Sequence, residues 1–312
     1  MENKIYDLII IGAGPAGLSA SIYASRYRLD HLVIGTVPGG QMKEIYNIEN
    51  FPGFISISGQ DLIQKMTEQV SNLGAIIKNE SVVAIEKMEK DNIWKVKTSN
   101  GKSSEYKTKT IILAMGTERR KMNIPGEKEF LGKGVSYCAT CDGMFFRNKV
   151  VSVIGGGNAA AAVAMEMSAY ASKIYLVHHE EKIIAEPFWI DKIKANPKIE
   201  VVKNTNVIEI RGADKVERII LEEPYNDHTF LKTDGVFIEI GSEPNMIVAQ
   251  KIGVETDQNK YIRTVPDQST SLPGIYAAGD ITTNSNKFRQ VLTACAEGAI
   301  AADSAYRRLK LS

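Results

Sequence analysis

The sequence predicts an α/β fold with two similar units, because one pattern of short apolar strand, glycine cluster and alanine-rich helix occurs twice. The first copy has its strand at residues 5–11 and its helix up to about Tyr27. The second copy has its strand at residues 150–154 and its helix up to about Tyr170. Since another short apolar run follows each helix, both copies are predicted to be βαβ units.

The remaining elements are predicted from the same periodicities. A helix is expected at residues 60–73, and runs rich in β-branched residues predict strands at 75–85, 94–98 and 106–113. Later strands are expected near Val201, Val207 and Ile219, followed by a loop at 223–228 and a strand at 236–240. The last predicted elements are a strand at 275–278 and a long helix from about 289 to 308.

Composition and charge narrow the class of protein. The 312 residues are 44% hydrophobic and 24% charged, which predicts a globular protein of about two domains. The net charge is +1 and no basic run accompanies it, so no nucleic acid partner is expected. The uncharged span between Asp7 and Arg26 holds three glycines and a proline, so no membrane segment is expected. Three cysteines are too few for a secreted disulfide framework, and a cytoplasmic location is predicted.

Gly12, Gly14 and Gly17 form a G-x-G-x-x-G pattern between a predicted strand and a predicted helix. In that setting the first glycine makes a tight turn, the second lets a pyrophosphate approach the backbone, and the third lets the helix pack closely. The phosphate charge then lies at the N-terminus of the helix. The alternative is an ordinary glycine-rich turn, and the acidic residue usually found about 20 positions later is missing.

Gly155, Gly157, Asn158 and Ala159 belong to the second glycine cluster, which predicts a nicotinamide nucleotide site. The next strand ends in the sequence HHEE at residues 178–181, where enzymes that prefer NADPH usually have arginines for the 2′-phosphate. The two carboxylates would repel that phosphate, so NADH is favoured over NADPH. The two histidines are interpreted as a solvated strand end and not as a metal site, because neighbours on a strand point to opposite sides. No metal is expected.

Cys138 and Cys141 form a C-x-x-C, and two thiols at this spacing can close a small, readily reduced disulfide. The alternatives are half of a zinc site or two buried thiols. A zinc site needs two more ligands, and the sequence has no second C-x-x-C or H-x-x-x-H to supply them. Asp142 is either a proton donor to a leaving thiolate or a turn aspartate. Cys295 is interpreted as a core residue.

Asp280 follows the short apolar strand at residues 275–278 and stands just before a turn. A carboxylate at the carboxyl end of such a strand can hydrogen bond to a polyol. Taken alone, this is a common strand-to-turn sequence; beside two glycine clusters and a C-x-x-C it indicates a ligand contact.

Together these motifs resemble the low-molecular-weight thioredoxin reductases, flavoenzymes that pass electrons from a reduced donor through FAD and a C-x-x-C to a thioredoxin disulfide. The resemblance runs nearly end to end, over residues 12–17, 39–41, 48–53, 114–117, 136–143, 155–160, 279–280 and 289–291. The most specific stretch is SYCATCDG at 136–143, because it stands just ahead of the second glycine cluster.

The resemblance implies two Rossmann-like three-layer domains, the second inserted into the first. An FAD-binding domain is expected at residues 1–115 and 244–312, and an inserted NAD(P)-type domain carrying the C-x-x-C at 116–243. Cys141 would lie against the flavin, Cys138 would attack the disulfide of a thioredoxin or thioredoxin-like protein, and Asp142 would be the acid. A homodimer is also implied. The implied FAD contacts are Gly12, Gly14, Pro15 and Ala16 at the pyrophosphate, Gly40, Gln41, Asn50 and Val82 along the cofactor, Asp280 at the ribitol, and Arg289, Gln290 and Val291 at the isoalloxazine.

The donor site departs from the family pattern. Members that use NADPH have H-R-R-x-x-F-R-A, whereas residues 178–185 of this chain are HHEEKIIA, without any of the three arginines. NADH fits the loss of the phosphate-binding arginines. The alternatives are a ferredoxin-type donor that replaces the nicotinamide, and a flavin-bound redox sensor that does not turn over.

Overall fold

The computed structural model describes residues 4–88, 92–101 and 103–311. The chain divides into two compact units, the first made of residues 1–118 and 243–312 and the second of residues 119–242. The expected domain boundaries follow residues 115 and 243, so each differs from the observed division by at most three residues.

The helices of the described residues are α1 (Pro15–Arg26), α2 (Gly59–Asn72), α3 (Ala139–Asp142), α4 (Asn158–Met167), α5 (Pro187–Ala195) and α6 (Val291–Leu311). The strands up to residue 119 are β1 (Ile5–Ile11), β2 (His31–Ile34), β3 (Ile76–Lys78), β4 (Ser81–Lys87), β5 (Trp94–Ser99), β6 (Ser103–Leu113) and β7 (Thr117–Arg119). The later strands are β8 (Val135–Ser136), β9 (Val150–Ile154), β10 (Lys173–Val177), β11 (Ile199–Val202), β12 (Val207–Gly212), β13 (Val216–Tyr225), β14 (His228–Lys232), β15 (Gly235–Ile238), β16 (Ser242–Pro244) and β17 (Ile275–Ala277).

The first unit is built on a sheet in the order β3-β2-β1-β6-β5-β4, and β17 also pairs with β6. Strands β3, β2, β1, β6 and β17 are parallel, whereas β4 and β5 form an antiparallel extension. Leu8 and Ile10 of β1 pack in a cluster with alanines of α1 and α6, and Ile9 and Ile11 pack in a second cluster on the other face. Both faces of the central sheet are therefore buried, which gives a three-layer unit.

The second unit has a parallel sheet in the order β11-β10-β9-β15-β8. Val151 and Val153 of β9 pack with residues of α4 and α5, while Ile154 packs with the antiparallel sheet β12-β13-β14. This unit also has three layers. The predicted fold class, two three-layer α/β units with the second inserted into the first, is confirmed.

Two local predictions were wrong. The run at residues 75–85 is two strands, interrupted at residues 79–80, and the carboxylate of Glu80 accepts hydrogen bonds from Thr98 and Tyr106. Strand β3 then pairs with β2, and β4 pairs with β5. The expected loop at 223–228 is a hairpin, because Asn226 and Asp227 adopt positive φ angles of 49° and 64° and join β13 directly to β14.

Among the helices of the described residues, none is both long enough and apolar enough to cross a bilayer.

Candidate functional site

The first glycine cluster forms a turn with open space at its middle glycine. Gly12 has a φ of +112°, and a Cβ there would lie 2.1 Å from the carbonyl oxygen of Ala114. A Cβ at Gly17 would lie 1.9 Å from the carbonyl oxygen of Gly12. A Cβ at Gly14 would meet no described atom within 4 Å. The turn is therefore tightly packed at Gly12 and Gly17 and open at Gly14, as a phosphate-binding turn requires.

Helix α1 begins at Pro15, directly after Gly14, and no described side chain caps its first turn. Proline has no amide hydrogen, so the first free amides of the helix are those of Ala16 and Gly17. These amides lie at the positive end of the helix dipole, which favours an anion at the open turn. The predicted pyrophosphate contacts therefore all belong to this one turn and the start of α1, at Gly12, Gly14, Pro15 and Ala16.

Gly40 and Gln41 lie in a short 3-10 helix beside this turn. The amide of Gly39 donates to the carbonyl oxygen of Ala13 at 2.7 Å, and a Cβ at Gly40 would lie 3.6 Å from Cα of Gly14. The side-chain amide of Gln41 donates to the carbonyl oxygen of Thr117 and, at 3.2 Å, to its hydroxyl. The short 3-10 helix that carries Gly40 and Gln41, two of the predicted flavin contacts, is therefore held against the glycine turn.

The residues before α6 are held together by contacts between distant parts of the chain. Asn50 Nδ2 donates to Gln290 Oε1 at 3.0 Å. Arg289 Nε donates to the carbonyl oxygen of Asp280 at 3.2 Å, and its guanidinium carbon lies 3.9 Å from the ring centroid of Tyr261. Asn50, Asp280, Arg289 and Gln290 therefore form linked pairs within the first unit.

Val291 and Val82 have different surroundings from these polar residues. Val291 is the first residue of α6 and packs against a hydrophobic cluster that includes Leu18 of α1. Val82 lies in β4, opposite Thr98, and packs against the large core cluster of the first unit.

Asp280 has a raised pKa, and Arg289 carries a buried polar atom that the described residues leave without a hydrogen bond. Burial raises the pKa of Asp280 to about 6, an effect that nearby Arg289 reduces and nearby Glu297 increases. The Nη2 atom of Arg289 is also buried, and no described atom is its hydrogen-bond partner. A buried polar atom of this kind is normally satisfied in a folded protein, so the partner of Arg289 Nη2 is expected to come from a ligand.

Glu297 of α6 is a site residue that the sequence did not indicate. Its side chain is buried, with Oε2 accepting from the amide of Gly279 at 2.8 Å and from the hydroxyl of Thr282 at 2.9 Å. Oε1 accepts from the hydroxyl of Ser285 at 2.5 Å. Glu297 therefore holds the turn on which Asp280 lies. The only signal in the sequence is a carboxylate within the otherwise small and apolar run at residues 294–302.

The first unit fits FAD on these observations. The open turn at Gly14 with its free amides suits the pyrophosphate, and the carboxylate of Asp280 suits a hydroxyl-bearing chain. The Nη2 atom of Arg289, which has no partner among the described atoms, would donate a hydrogen bond to the cofactor. FAD, when bound, accepts two electrons from a donor and passes them to a disulfide.

The second unit carries the C-x-x-C as a disulfide between Cys138 and Cys141, with Cα atoms 5.3 Å apart. Cys138 precedes α3, and its Sγ accepts a hydrogen bond from the amide of Cys141 at 3.2 Å. Cys141 is exposed and Cys138 half-buried. Asp142 ends α3, and its Oδ2 accepts from the hydroxyl of Ser136 at 2.6 Å. The three predicted catalytic residues therefore form one short turn.

The second glycine cluster repeats the geometry of the first. Gly155 has a φ of +139°, and a Cβ there would lie 2.2 Å from the carbonyl oxygen of Glu239. A Cβ at Gly157, just before α4, would meet no described atom within 4 Å. Asn158 is used within the protein, since Nδ2 donates to Glu186 Oε1 at 2.9 Å and Oδ1 accepts from the Glu186 amide at 2.7 Å. Ala159 is exposed. The open glycine thus remains available to a phosphate.

The end of the strand after this cluster differs from the solvated end that the sequence predicts. His178 is buried, and its amide continues the sheet by donating to the carbonyl oxygen of Val202 at 3.0 Å. Burial, His179 and Lys203 lower the pKa of His178. Its Nε2 has no hydrogen-bond partner among the described atoms. Only His179 fits the prediction, being exposed and 3.6 Å from a carboxylate oxygen of Glu180.

The charges beside His178 do not form an anion site of the NADPH type. Glu180 and Glu181 are exposed, and Ile184 is 71% exposed. The cations near them are Lys182 and Lys203, both exposed. In the described part of the chain no three His, Cys, Asp or Glu side chains are grouped to hold a metal ion.

Comparison with known proteins identifies the family. The family model described as pyridine nucleotide-disulphide oxidoreductase matches residues 6–298. The chain belongs to the pyridine nucleotide-disulphide oxidoreductase family.

Within that family the chain is similar to thioredoxin reductases. It is 43% identical to the thioredoxin reductase of Treponema pallidum over 303 residues, which are 96% of each protein. The crystal structure of Lactococcus lactis thioredoxin reductase matches with a TM-score of 0.93 and 35% identity, covering 98% of this chain and all of that one. A ferredoxin-flavin thioredoxin reductase from Clostridium acetobutylicum matches with a TM-score of 0.53 and 32% identity, covering 98% and 99% of the two chains. The resemblance inferred from the sequence is confirmed.

Proposed function

We propose that this enzyme is a flavin-dependent thioredoxin-disulfide reductase, which passes two electrons from a reduced donor through FAD and the Cys138–Cys141 disulfide to thioredoxin. The observation that carries the proposal is the Cys138–Cys141 disulfide, in a unit that also has an open glycine turn at Gly157. Thioredoxin is proposed as the substrate because the similar protein of Treponema pallidum is named a thioredoxin reductase.

The two units divide the work. Residues 1–118 and 243–312 bind FAD through Gly12, Gly14, Pro15, Ala16, Gly40, Gln41, Asn50, Val82, Asp280, Arg289, Gln290 and Val291. The inserted unit carries the redox disulfide and the donor nucleotide site, with Gly155, Gly157, Asn158 and Ala159. The support for this division is that the open glycine turn with free amides, the carboxyl group of Asp280 with its raised pKa, and the unpartnered Nη2 atom of Arg289 all belong to the first unit.

Disulfide exchange then proceeds by two attacks. The thiolate of Cys138 attacks one sulfur of the thioredoxin disulfide, forms a mixed disulfide, and releases the other thioredoxin sulfur, which takes a proton from Asp142. The thiolate of Cys141 attacks Cys138, restores the Cys138–Cys141 disulfide and releases the second thioredoxin sulfur, which takes a proton from solvent. Thioredoxin gains two electrons and two protons, and the enzyme disulfide forms again.

The donor is NADH in preference to NADPH. Burial lowers the pKa of His178, so this side chain is neutral near pH 7 and offers no charge to a 2′-phosphate. Glu180 and Glu181 would repel that phosphate, and the aliphatic side chain of Ile184 cannot bind it. A ferredoxin-type donor is the second candidate. Asn158, a predicted contact of the nicotinamide nucleotide, already has its side chain hydrogen bonded to Glu186. In addition, the similar Clostridium acetobutylicum enzyme is named a ferredoxin-flavin thioredoxin reductase.

The test is steady-state reduction of thioredoxin with NADH, NADPH and reduced ferredoxin supplied in turn. We expect turnover with NADH, slower turnover with NADPH, and none in the Cys138→Ser variant. Turnover with ferredoxin alone would replace the nicotinamide donor and leave the reductase function standing. A protein that reduces thioredoxin with none of the three donors would support the alternative of a flavin redox sensor.

The resemblance also supports a homodimer that works in the cytoplasm. Light scattering on the purified protein measures the mass of the assembly directly, and a mass near twice 34.3 kDa is expected.

A further inference from the structure

Ser136 connects the two ends of the redox turn. It is the last residue of β8 and is buried, and the pairing of Ser136 with Phe237 of β15 fixes its backbone. The amide of Cys138 donates to its Oγ at 3.0 Å, and its hydroxyl donates to Oδ2 of Asp142 at 2.6 Å. One hydroxyl therefore joins the backbone of Cys138 to the side chain of Asp142.

The same hydroxyl has a second acceptor within reach. The carbonyl oxygen of Cys138 lies 3.3 Å from Ser136 Oγ, while Asp142 Oδ2 lies at 2.6 Å. A serine hydroxyl has one hydrogen and can accept two hydrogen bonds, so it donates to only one of these oxygens at a time. With Asp142 ionised, the closer carboxylate oxygen is the acceptor.

When Asp142 is protonated, the direction of its hydrogen bond with Ser136 reverses, and neither side chain is left unpaired. The carboxylic acid donates to Ser136 Oγ, and the serine hydrogen turns to the carbonyl oxygen of Cys138. In both states Oγ also accepts from the amide of Cys138. Rotation of one O–H bond is thus enough to accommodate both charges of the carboxyl group.

We propose that Ser136 is a positioning residue for proton transfer, because it keeps the carboxyl group of Asp142 at the Cys138 turn in both protonation states. The proposal rests on the proposed role of Asp142 as the acid. During exchange Cys138 forms the bond to one thioredoxin sulfur, the thioredoxin S–S bond breaks, and the departing sulfur takes the proton of Asp142. The hydroxyl of Ser136 then donates its hydrogen bond to the ionised carboxylate again, and the serine itself is chemically unchanged.

The experiment is single-turnover reduction of thioredoxin by the fully prereduced holoenzyme, which isolates this step from the donor reaction. Four variants are compared with the parent protein: Ser136→Ala, Ser136→Thr, Asp142→Asn and the double variant Ser136→Ala/Asp142→Asn. Ser152→Ala is the matched control, because Ser152 is a buried serine of the same unit whose Oγ has no hydrogen-bond partner among the described atoms. Reduction of the flavin by the donor is measured in parallel.

We expect Ser136→Ala to slow thioredoxin reduction about tenfold or more, the effect of losing a hydrogen bond to a charged group. Ser136→Thr, which keeps the hydroxyl, should recover most of that rate, and Ser152→Ala should match the parent. In the Asp142→Asn background, Ser136→Ala should cause no further loss, since it acts through Asp142. Flavin reduction should be unchanged throughout.

Three results would overturn the proposal, and they are distinguishable. Multiplying losses in the double variant would show that Ser136 acts independently of Asp142. Equal slowing of flavin reduction in Ser136→Ala would show a general structural defect. An Asp142→Asn variant with the parent rate would remove the acid itself, so that the proposed role of Asp142 fails first and that of Ser136 with it.

Discussion

The carboxylate of Glu297 accepts a hydrogen bond from the amide of Gly279 at 2.8 Å, and this contact ties the last helix to the turn after β17. Asp280 follows Gly279 directly, so its position depends on a helix residue 18 positions after Gly279. The contact explains why the final helix matters to a site whose glycine turn lies at the opposite end of the sequence.

Replacing Glu297 with alanine should weaken both the fold and the flavin site. The substitution leaves the Gly279 amide and the Thr282 hydroxyl without their acceptor, and each unsatisfied buried group is destabilising by about 1–3 kcal/mol. We expect a lower free energy of unfolding and a higher Kd for FAD, measured by denaturant titration and flavin fluorescence. Glu255→Ala, an exposed glutamate of the same unit, is the control and should change neither.

Alanine substitutions at two glycines of the first cluster should distinguish an effect on FAD binding from an effect on the stability of the fold. Gly14→Ala adds a methyl group in open space at a φ of −76°, so the FAD-free protein should change in stability by less than about 1 kcal/mol. The same methyl group occupies the space of a bound phosphate, and FAD affinity should fall tenfold or more, about 1.4 kcal/mol. Gly17→Ala meets the carbonyl oxygen of Gly12 and should destabilise the FAD-free protein itself by about 1–3 kcal/mol or more. Equal FAD affinity in Gly14→Ala and the parent would place the pyrophosphate elsewhere.

FAD affinity should depend on pH through Asp280. Burial raises the pKa of this carboxyl group from 3.8 to about 6, so in the FAD-free protein it is protonated below that pH. The ribitol hydroxyls are expected to donate to the ionised form, and protonation therefore competes with binding. We expect the Kd to rise about tenfold per pH unit below 6 and to level off above it. Asp280→Asn should bind more weakly at pH 7.5 and lose this pH dependence.

The same pKa shift has a consequence for stability without FAD. Because the folded protein holds this proton more tightly than the unfolded chain, the free energy of unfolding should decrease as pH rises from about 4 to 6, by up to about 3 kcal/mol. Asp280→Asn should remove that decrease. Thermal unfolding of the FAD-free protein between pH 4 and 8 measures both curves.

The two cysteines should differ when they are tested one at a time. The amide of Cys141 donates to Sγ of Cys138, and such a bond favours negative charge on that sulfur. We expect Cys141→Ser to form a stable mixed disulfide through Cys138 with a thioredoxin that lacks its resolving cysteine. Cys138→Ser should form much less. Mass spectrometry of the trapped complex identifies the sulfur, and the opposite pattern would exchange the two roles, as the greater exposure of Cys141 would allow.

The donor preference should be reversible by restoring the missing positive charges. The triple variant His179→Arg/Glu180→Arg/Ile184→Arg replaces one carboxylate and adds three guanidinium groups at exposed positions. Each charge-assisted hydrogen bond to a 2′-phosphate contributes about 1.5–3 kcal/mol. We expect kcat/KM for NADPH to rise tenfold or more over the parent, while that for NADH changes less. Efficient use of NADPH by the parent protein would point to Lys182 or Lys203 as its phosphate ligand.

The βαβ units could be predicted because their signals are local. The strand at 5–11, the glycines and the helix after Pro15 are consecutive in the chain, and periodicity alone locates them. At residues 223–228 the sequence predicts a loop, whereas the positive φ angles of Asn226 and Asp227 make a two-residue turn there.

Roles that depend on pairing between distant strands could not be predicted. His178 is buried because β10 pairs with β11, and Ser136 is fixed because β8 pairs with β15, about a hundred residues later. The sequence around Ser136 carried the family resemblance, yet nothing in it told which way the hydroxyl points. Glu297 was missed for the same reason, since its partners lie on a turn that the helix meets only in the folded protein.

The division of the first unit has a consequence for biosynthesis. Strand β17 pairs with β6, and α6 packs with α1, so the nascent chain cannot complete this unit until residues 275–311 have been translated. At 5–20 residues per second, α6 leaves the ribosome roughly 15–55 s after α1. The inserted unit is continuous in sequence and can fold during that interval. FAD therefore meets a completed site only after β17 and α6 have been translated, and a translation product that stops before β17 would carry the redox disulfide without a completed flavin site.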